Sequence, residues 1–266
     1  MRKPFVSSLA SSIASSISSP LTGDAGGGQD SLLEQVQALY TSGGGAYSGA
    51  ILAFGRLGSI WQDASATTPA SVGDPIWRVD DLSGDGNNAA VVSSGQRPLA
   101  TDIGGNLVAR ADGIDDKFSA NGAASISNNM TIVYALIPRV ASAFNGILSF
   151  DANDFVVSAN DTGAGTGGVR VIKSGGNVIS EAGTDQTGIA QVLTFQNNAT
   201  TGVVARRNGV QIGTSINVSA IVSTTLTLAQ SQVDVAAFVA INSSTPSSEE
   251  LALLEQYAAS TIGVTL

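Results

Sequence analysis

Asp81-Leu82-Ser83-Gly84-Asp85-Gly86-Asn87-Asn88-Ala89, then Gln96-Arg97-Pro98, then Ala111-Asp112-Gly113-Ile114-Asp115-Asp116: these clusters, within residues 80–116, decide the fold. Each is a tight-turn signal, because Gly supplies positive φ while Asp and Asn bond back to their own backbone. Between them lie short apolar pieces, 89–92 and 107–111. Those pieces are long enough for strands and too short for helices. The same rhythm continues to the end of the chain. Strands are expected at 51–54, 131–137, 146–150, 155–158, 169–173, 191–196, 203–207, 210–213, 226–228 and 235–241. Residues 131–137 are apolar at every position but the first, which suits a central strand covered on both faces. Asn208-Gly209 is the strongest hairpin signal in the chain. Short strands separated by turn clusters at this spacing predict a β-sandwich or barrel.

Composition agrees with a single large β domain carrying appendages. Hydrophobic residues make up 43% of the 266 and charged residues 12%. Gly outnumbers Pro 31 to 7, so most turns are built with Gly. The formal net charge of −9 argues against a nucleic-acid groove and against electrostatic attachment to a membrane. With no Cys and no His, disulfides, Cys/His zinc sites and His-based catalysis are excluded. No apolar run approaches the roughly 20 residues of a membrane-spanning helix.

The N-terminal residues read as a separate unit. Leu9, Ile13, Ile17 and Leu21 recur every four residues in a Ser-rich arm, a spacing that fits a strand face or a slowly drifting helix face. Ser competes for backbone hydrogen bonds, which favours extended or mixed structure. Arg2 and Lys3 precede this stretch as in a secretion signal, but Ser interrupts every apolar core such a signal needs. Residues 23–28 read as a Gly hinge. Ser31-Leu32-Leu33-Glu34 has the form of a capping box, so a short amphipathic helix is expected over 31–40, ended by Gly43-Gly44-Gly45. The expected division is 1–30 arm and hinge, 31–45 helix and linker, 46–266 β domain. A second capping box, Ser247 with Glu250, opens an expected terminal helix over 247–260, with Leu251, Leu254 and Ala258 on one face.

The order of the motifs also resembles a known family. A Trp-bearing strand (Trp77), the Asp81–Ala89 cluster, Arg97-Pro98, a short strand and Asp112-Gly113-Ile114-Asp115-Asp116 are similar to the start of concanavalin A-like (laminin-G-like) jelly-roll domains of tailed-phage virion proteins. The Asp63–Pro69 segment before Trp77 and the apolar last strand leading to a terminal helix fit the same pattern. The family usually carries His where this chain has Asn88, and Phe near Arg110. The resemblance runs from about Gly49 to the C-terminus. It implies an all-β, concanavalin A-like jelly-roll sandwich with an N-terminal arm and two helices. It further implies a virion structural protein on the particle surface, as head decoration, head fibre or tail fibre. Its partners would be capsid or tail subunits, bound through residues 1–30. A homo-oligomer, a trimer among the options, would suit this use.

No catalytic, cofactor or metal site is assigned. A glycosidase would need two carboxylates facing each other across a cleft, yet Glu34, Glu249, Glu250 and Glu255 fall in expected helices and Glu181 in a Gly-rich loop. Asp80, Asp81, Asp85, Asp112, Asp115 and Asp116 could supply hard oxygen donors to calcium, but turns select Asp for their own reasons. Residues 163–168 lack the Lys of a phosphate-binding loop and read as a loop tip. Arg206-Arg207 reads as a solvated basic pair. Trp77 reads as a core residue of the sandwich, with a sugar-stacking platform as the alternative. A carbohydrate-binding module for a host-surface glycan is therefore the second functional expectation.

Overall fold

The structure is a computed structural model; it describes residues 27–121, 129–142, 146–150, 155–162, 167–173, 176–198, 202–212, 225–242 and 244–266. The four-residue repeat of the arm, Gly23–Gly26 of the expected hinge and most of the 163–168 loop lie outside these residues. In chain order the first strands are β1 (Ser48–Ala53), β2 (Ile60–Trp61), β3 (Arg78–Val79), β4 (Ala89–Ala90), β5 (Leu99–Ile103) and β6 (Asn106–Asp112). Then come β7 (Phe118–Asn121), β8 (Met130–Pro138), β9 (Gly146–Phe150), β10 (Phe155–Asp161), β11 (Gly168–Lys173) and β12 (Gly176–Glu181). The set closes with β13 (Gln191–Asn198), β14 (Gly202–Arg207), β15 (Val210–Ile212), β16 (Thr225–Leu228) and β17 (Gln232–Asn242). Helices α1 (Gly27–Gln37) and α2 (Ser248–Ser260) lie at either end.

The strands form two antiparallel sheets, an all-β sandwich. One has eight strands in the order β15-β14-β13-β8-β17-β6-β5, with β1 also paired to β17; the other has nine, β12-β11-β10-β9-β16-β7-β4-β3-β2. Phe54, Phe118, Tyr134, Phe150, Phe195 and Phe238 fill the space between the sheets and are fully buried. β8 is buried at all its positions, as its apolar run predicts. Its inner face (Ile132, Tyr134, Leu136) meets the other sheet, while Val133, Ala135 and Ile137 meet the helices. Asn208 and Gly209 take the positive φ values of 48° and 77° that a tight β14–β15 turn requires.

The helices cover the outside of the eight-stranded sheet. Val36 and Leu33 of α1 and Leu254, Tyr257 and Ala258 of α2 bury against Ile51, Val239 and Ile241. The Ser247–Glu250 capping box forms as expected. The first helix departs from expectation. It begins at Gly27, so Ser31 sits inside it and caps nothing. Two contacts outweigh the local capping signal: Asp30 occupies the first turn, where a carboxylate suits the helix dipole, and the Gln29 amide donates to the Ser260 carbonyl at 2.7 Å. Beyond Gln37 the chain leaves the helix so that the buried Tyr40 hydroxyl can donate to the Ala240 carbonyl at 2.8 Å.

Charged residues complete this attachment. Arg206 reaches Glu255 through Nε (2.8 Å) and Nη2 (3.1 Å), and the Thr194 hydroxyl donates to the same carboxylate at 2.8 Å. Arg206 is therefore a clamp between sheet and helix, and not half of a solvated pair. Arg207 points to the opposite face and meets Glu181 at 3.1 Å, joining β14 of one sheet to β12, the edge strand of the other. Glu181 in turn belongs to β12, not to a loop.

The Tyr47 hydroxyl donates to Glu250 Oε2 at 2.7 Å, tying α2 to the start of β1. Burial pushes the Glu250 carboxyl up, but the bonds from Tyr47 and from Ser247 outweigh it and hold it below the ordinary glutamate value. A depressed carboxyl pKa stabilises the fold above the unfolded-state value, and that contribution is lost as the pH falls through the folded-state value. Tyr47→Phe should thus cost about 1 kcal/mol at pH 7. In urea titrations the difference should shrink once the pH drops below about 4.3. A difference independent of pH would mean that packing, not the Glu250 bond, carries the effect.

Candidate functional site

The three turn clusters have three different tasks. The first closes an exposed sheet edge. β1 pairs with β17 on one side only, and an open edge invites pairing with other chains. Residues 81–88 dock along its other side. Leu82 N–H donates to the Ile51 carbonyl at 2.8 Å, and Ile51 N–H donates to Asp81 Oδ1 at 2.9 Å. Gly49 N–H donates to Asp85 Oδ2 at 2.8 Å, and the Asn87 amide donates to the Gly49 carbonyl at 2.6 Å. Asn88 Oδ1 accepts from Asp81 N–H at 2.8 Å, which fixes the turn itself. Gly49 is required here, since a Cβ at that position would lie 1.9 Å from the Ala240 carbonyl oxygen.

The second cluster sets Arg97 over the Trp77 ring, 5.7 Å from its centroid. Trp77 is partly buried and packs against the inter-sheet core, in line with its reading as a core residue. The third cluster brings Asp112, Asp115 and Asp116 together, one oxygen of each lying within 4.8 Å of the others. Asp116 is buried and accepts from Asp112 N–H at 2.9 Å; Asp112 Oδ1 accepts from Ile114 N–H at 2.8 Å. Burial and the neighbouring Asp112 and Asp115 push the Asp116 carboxyl up despite the bond from Asp112 N–H. Among the described residues these three are the carboxylates close enough together to share a hard cation. Asp81 and Asp85 are separate from them and occupied in the edge closure. Arg110 forms a two-pronged pair with Asp234 across β6 and β17, at 2.8 and 3.1 Å.

The sequence motifs single out Trp77 and pass over Trp61. Its neighbour Ile60 is fully buried in the core, whereas Trp61 is half-buried on the outer face of the nine-stranded sheet. Cross-strand partners share a face, and the pairings run Trp61–Arg78, Arg78–Ala90, Ala90–Ser119, Ser119–Thr227 and Thr227–Ser149. The row is half-buried from Trp61 to Thr227 and buried at Ser149. Beyond Arg78 it consists of small, mostly hydroxylated side chains, which leave room beside the indole. The indole is locked in place: Nε1 donates to Asp80 Oδ2 at 2.7 Å, while Arg78 Nε donates to Asp80 Oδ1 at 2.7 Å. Each Asp80 oxygen keeps a further acceptor position. The only sequence signal for this site was the pair Trp61 and Arg78-Val79-Asp80, two-residue strands too short to show periodicity.

Chemically, this is an apolar plate with a donor and an acceptor at its rim. Such an arrangement suits a ligand with one apolar face and hydroxyls around its edge. The carboxylates of Glu181, Glu250 and Glu255 are bonded to Arg207, to Tyr47 and Ser247, and to Arg206 and Thr194, respectively.

No protein-family model matches the chain, and no curated protein matches it. Among solved structures, the chain is similar to an arabinofuranosidase complexed with arabinofuranosyl-alpha-1,2-xylobiose, with a TM-score of 0.58 and 10% identity over 85% of this chain and 65% of that one. It is similar to domain 4 of an extracellular arabinanase from Geobacillus stearothermophilus in complex with arabinotriose (TM-score 0.54, 13% identity, 66% of this chain and 92% of that one). It is also similar to the Trypanosoma rangeli sialidase (TM-score 0.50, 13% identity, 82% of this chain), of which it spans 33%. What these likenesses establish is the fold, a lectin-like two-sheet β-sandwich.

Proposed function

We propose that the chain is a non-enzymatic, carbohydrate-binding β-sandwich whose glycan face is the Trp61 end of the nine-stranded sheet. The observation that carries this reading is the partly buried, outward-facing indole held by Asp80 and flanked by Arg78 and a row of small, mostly hydroxylated residues. A sugar ring offers an apolar C–H face to an aromatic plate and hydroxyls to flanking charged groups. The arabinofuranosidase and the arabinanase domain, which share the fold, are each complexed with an arabinose-containing oligosaccharide, so arabinotriose and xylobiose derivatives are sensible first probes. The non-enzymatic part of the reading rests on the engagement of Glu181, Glu250 and Glu255 in structural bonds.

A glycan microarray probed with the full chain tests this reading, followed by calorimetric titration of each glycan retained. Trp61→Ala should weaken binding at least about tenfold, since an aromatic contact of this kind is worth about 1.5 kcal/mol. The variant should stay folded in thermal melts, because the ring lies on the outer face of the sheet and not in the core between the sheets. Retention of no glycan, or full affinity in the variant, would contradict the proposal.

The motif resemblance favours one further reading: display on a tailed-phage particle. Residues 1–30 would attach to capsid or tail subunits, and several arms in a homotrimer would strengthen attachment through avidity. A gold-labelled antibody against the chain should then decorate purified particles, on the head for a decoration protein or head fibre and at the tail for an adsorption fibre. Intact particles without label would contradict virion display and leave a free binding module.

A further inference from the structure

A cleft lies on the other sheet, where the two helices meet it. β17 pairs with β6 through residues 232–235 and with β1 through 237–242. The two partner strands diverge at Ala236, and a cleft of about 500 Å³ opens there. Its floor is made of small residues, Ala53, Gly55 and Ala236. The floor backbone is tightly placed: Gly55 N–H donates to the Ala236 carbonyl at 3.2 Å, and a Cβ on Gly55 would lie 2.2 Å from the Leu107 carbonyl oxygen. The first turn of α1, the end of α2 and the start of β6 form the walls, so the cleft exists only because three elements meet.

The polar groups around it do not form one closed network. Tyr257 is 2% exposed, yet its hydroxyl has no hydrogen-bond partner among the described residues. Burial pushes its phenol up, and the charges of Arg56 and Asp30 act on it in opposite directions, so it stays a neutral donor close to both. Arg56 and Asp30 pair at 2.5 Å and line the cleft together. Asn106 adds an amide.

This set selects by charge. An anion would meet Asp30 and a cation would meet Arg56, whereas a neutral ligand can use the outward donors of one and acceptors of the other without breaking the pair. The Tyr257 hydroxyl and the Asn106 amide ask for further hydroxyl partners. The volume falls within the range of small-molecule sites. We propose that this cleft binds a neutral, hydroxyl-rich molecule of about one or two sugar rings. The site is independent of the Trp61 face and shares no lining residue with it.

Saturation-transfer NMR on the full chain tests the proposal, with arabinose, glucose, galactose, maltose and lactose as probes at millimolar concentration. At least one probe should receive saturation. Its affinity should fall about fivefold or more in Tyr257→Phe and in Asn106→Leu, each of which removes one hydrogen bond. It should be unchanged in Trp61→Ala, and thermal melts should show both cleft variants folded. Absence of transfer to every probe would overturn the proposal. So would transfer that, in a Trp61→Ala background, survives the Tyr257→Phe, Asn106→Leu double variant. Transfer abolished by Trp61→Ala alone would also overturn it, while leaving the Trp61 reading intact.

Discussion

Replacing Asp81 by alanine is expected to lower the unfolding free energy by about 3 kcal/mol, read as a shift of the urea midpoint. Its carboxylate accepts from the backbone N–H groups of Ile51 (2.9 Å), Ser83 (2.9 Å) and Asn87 (2.9 Å) and from the Ser83 hydroxyl (2.8 Å). Ser83 is buried, so water cannot readily replace the lost acceptor. Donors left unsatisfied in this way cost more than the bonds contribute net. The variant also loosens the strip that closes the β1 edge, and it should raise the tendency to associate at high protein concentration. Asp81→Asn keeps one acceptor oxygen and should fall between the two. A loss well under 1 kcal/mol for the alanine variant would show that residues 81–88 do not hold β1.

Phe238→Ala should be costlier still, by about 4 kcal/mol. Phe238 is fully buried at the middle of β17 and stands between Leu52 of β1 and Tyr134 of β8. Its ring meets Tyr134 edge-on, with centroids 5.7 Å apart and planes at 83°. Truncation removes that contact and leaves a cavity where two strands and the opposite sheet converge, a place with little freedom to collapse. Phe238→Leu, which keeps most of the volume, should cost about 1.5 kcal/mol or less. Equal losses for the two substitutions would mean that the ring contact, and not the filled volume, carries the stability.

The parts of this fold that could be read in advance are those whose signal is local. β8, β9, β13 and β17 announce themselves through apolar runs, the β14–β15 hairpin through Asn208-Gly209, and α2 through Ser247 and Glu250. The parts that could not be read depend on partners far away in the chain. β2 and β3 are two residues each, exist because they pair with one another, and carry no periodicity. β12 contains Gly176 and Asn177, poor strand formers, and is a strand because β11 offers it an edge. Arg206 and Arg207 look alike in sequence; alternation along β14 sends one to Glu255 and the other to Glu181. α1 starts four residues ahead of its expected first residue, Ser31, because α2 holds Gln29.

The candidate site shows the same division. The abundance of Asp and Asn in residues 80–116 was visible, but their tasks were not. Asp81 and Asp85 close an edge, Asp80 fixes an indole, and only Asp112, Asp115 and Asp116 converge. Trp77 drew attention because it sits in the motif, yet it packs against the core, while Trp61 lies on the outer face of the sheet. An inward or outward orientation in a two-residue strand is set by the register with its partner strand, which a single sequence does not display.

The most direct measurement uses the fact that Trp61 and Trp77 are the only two tryptophans in the chain. In a Trp77→Phe background every tryptophan photon comes from Trp61. Titration with the tightest-binding glycan from the microarray, or with arabinotriose, should shift and saturate that emission, with the same dissociation constant that calorimetry gives. Glycan binding by calorimetry with no change in Trp61 emission, or no binding by either method, would contradict a glycan face at Trp61.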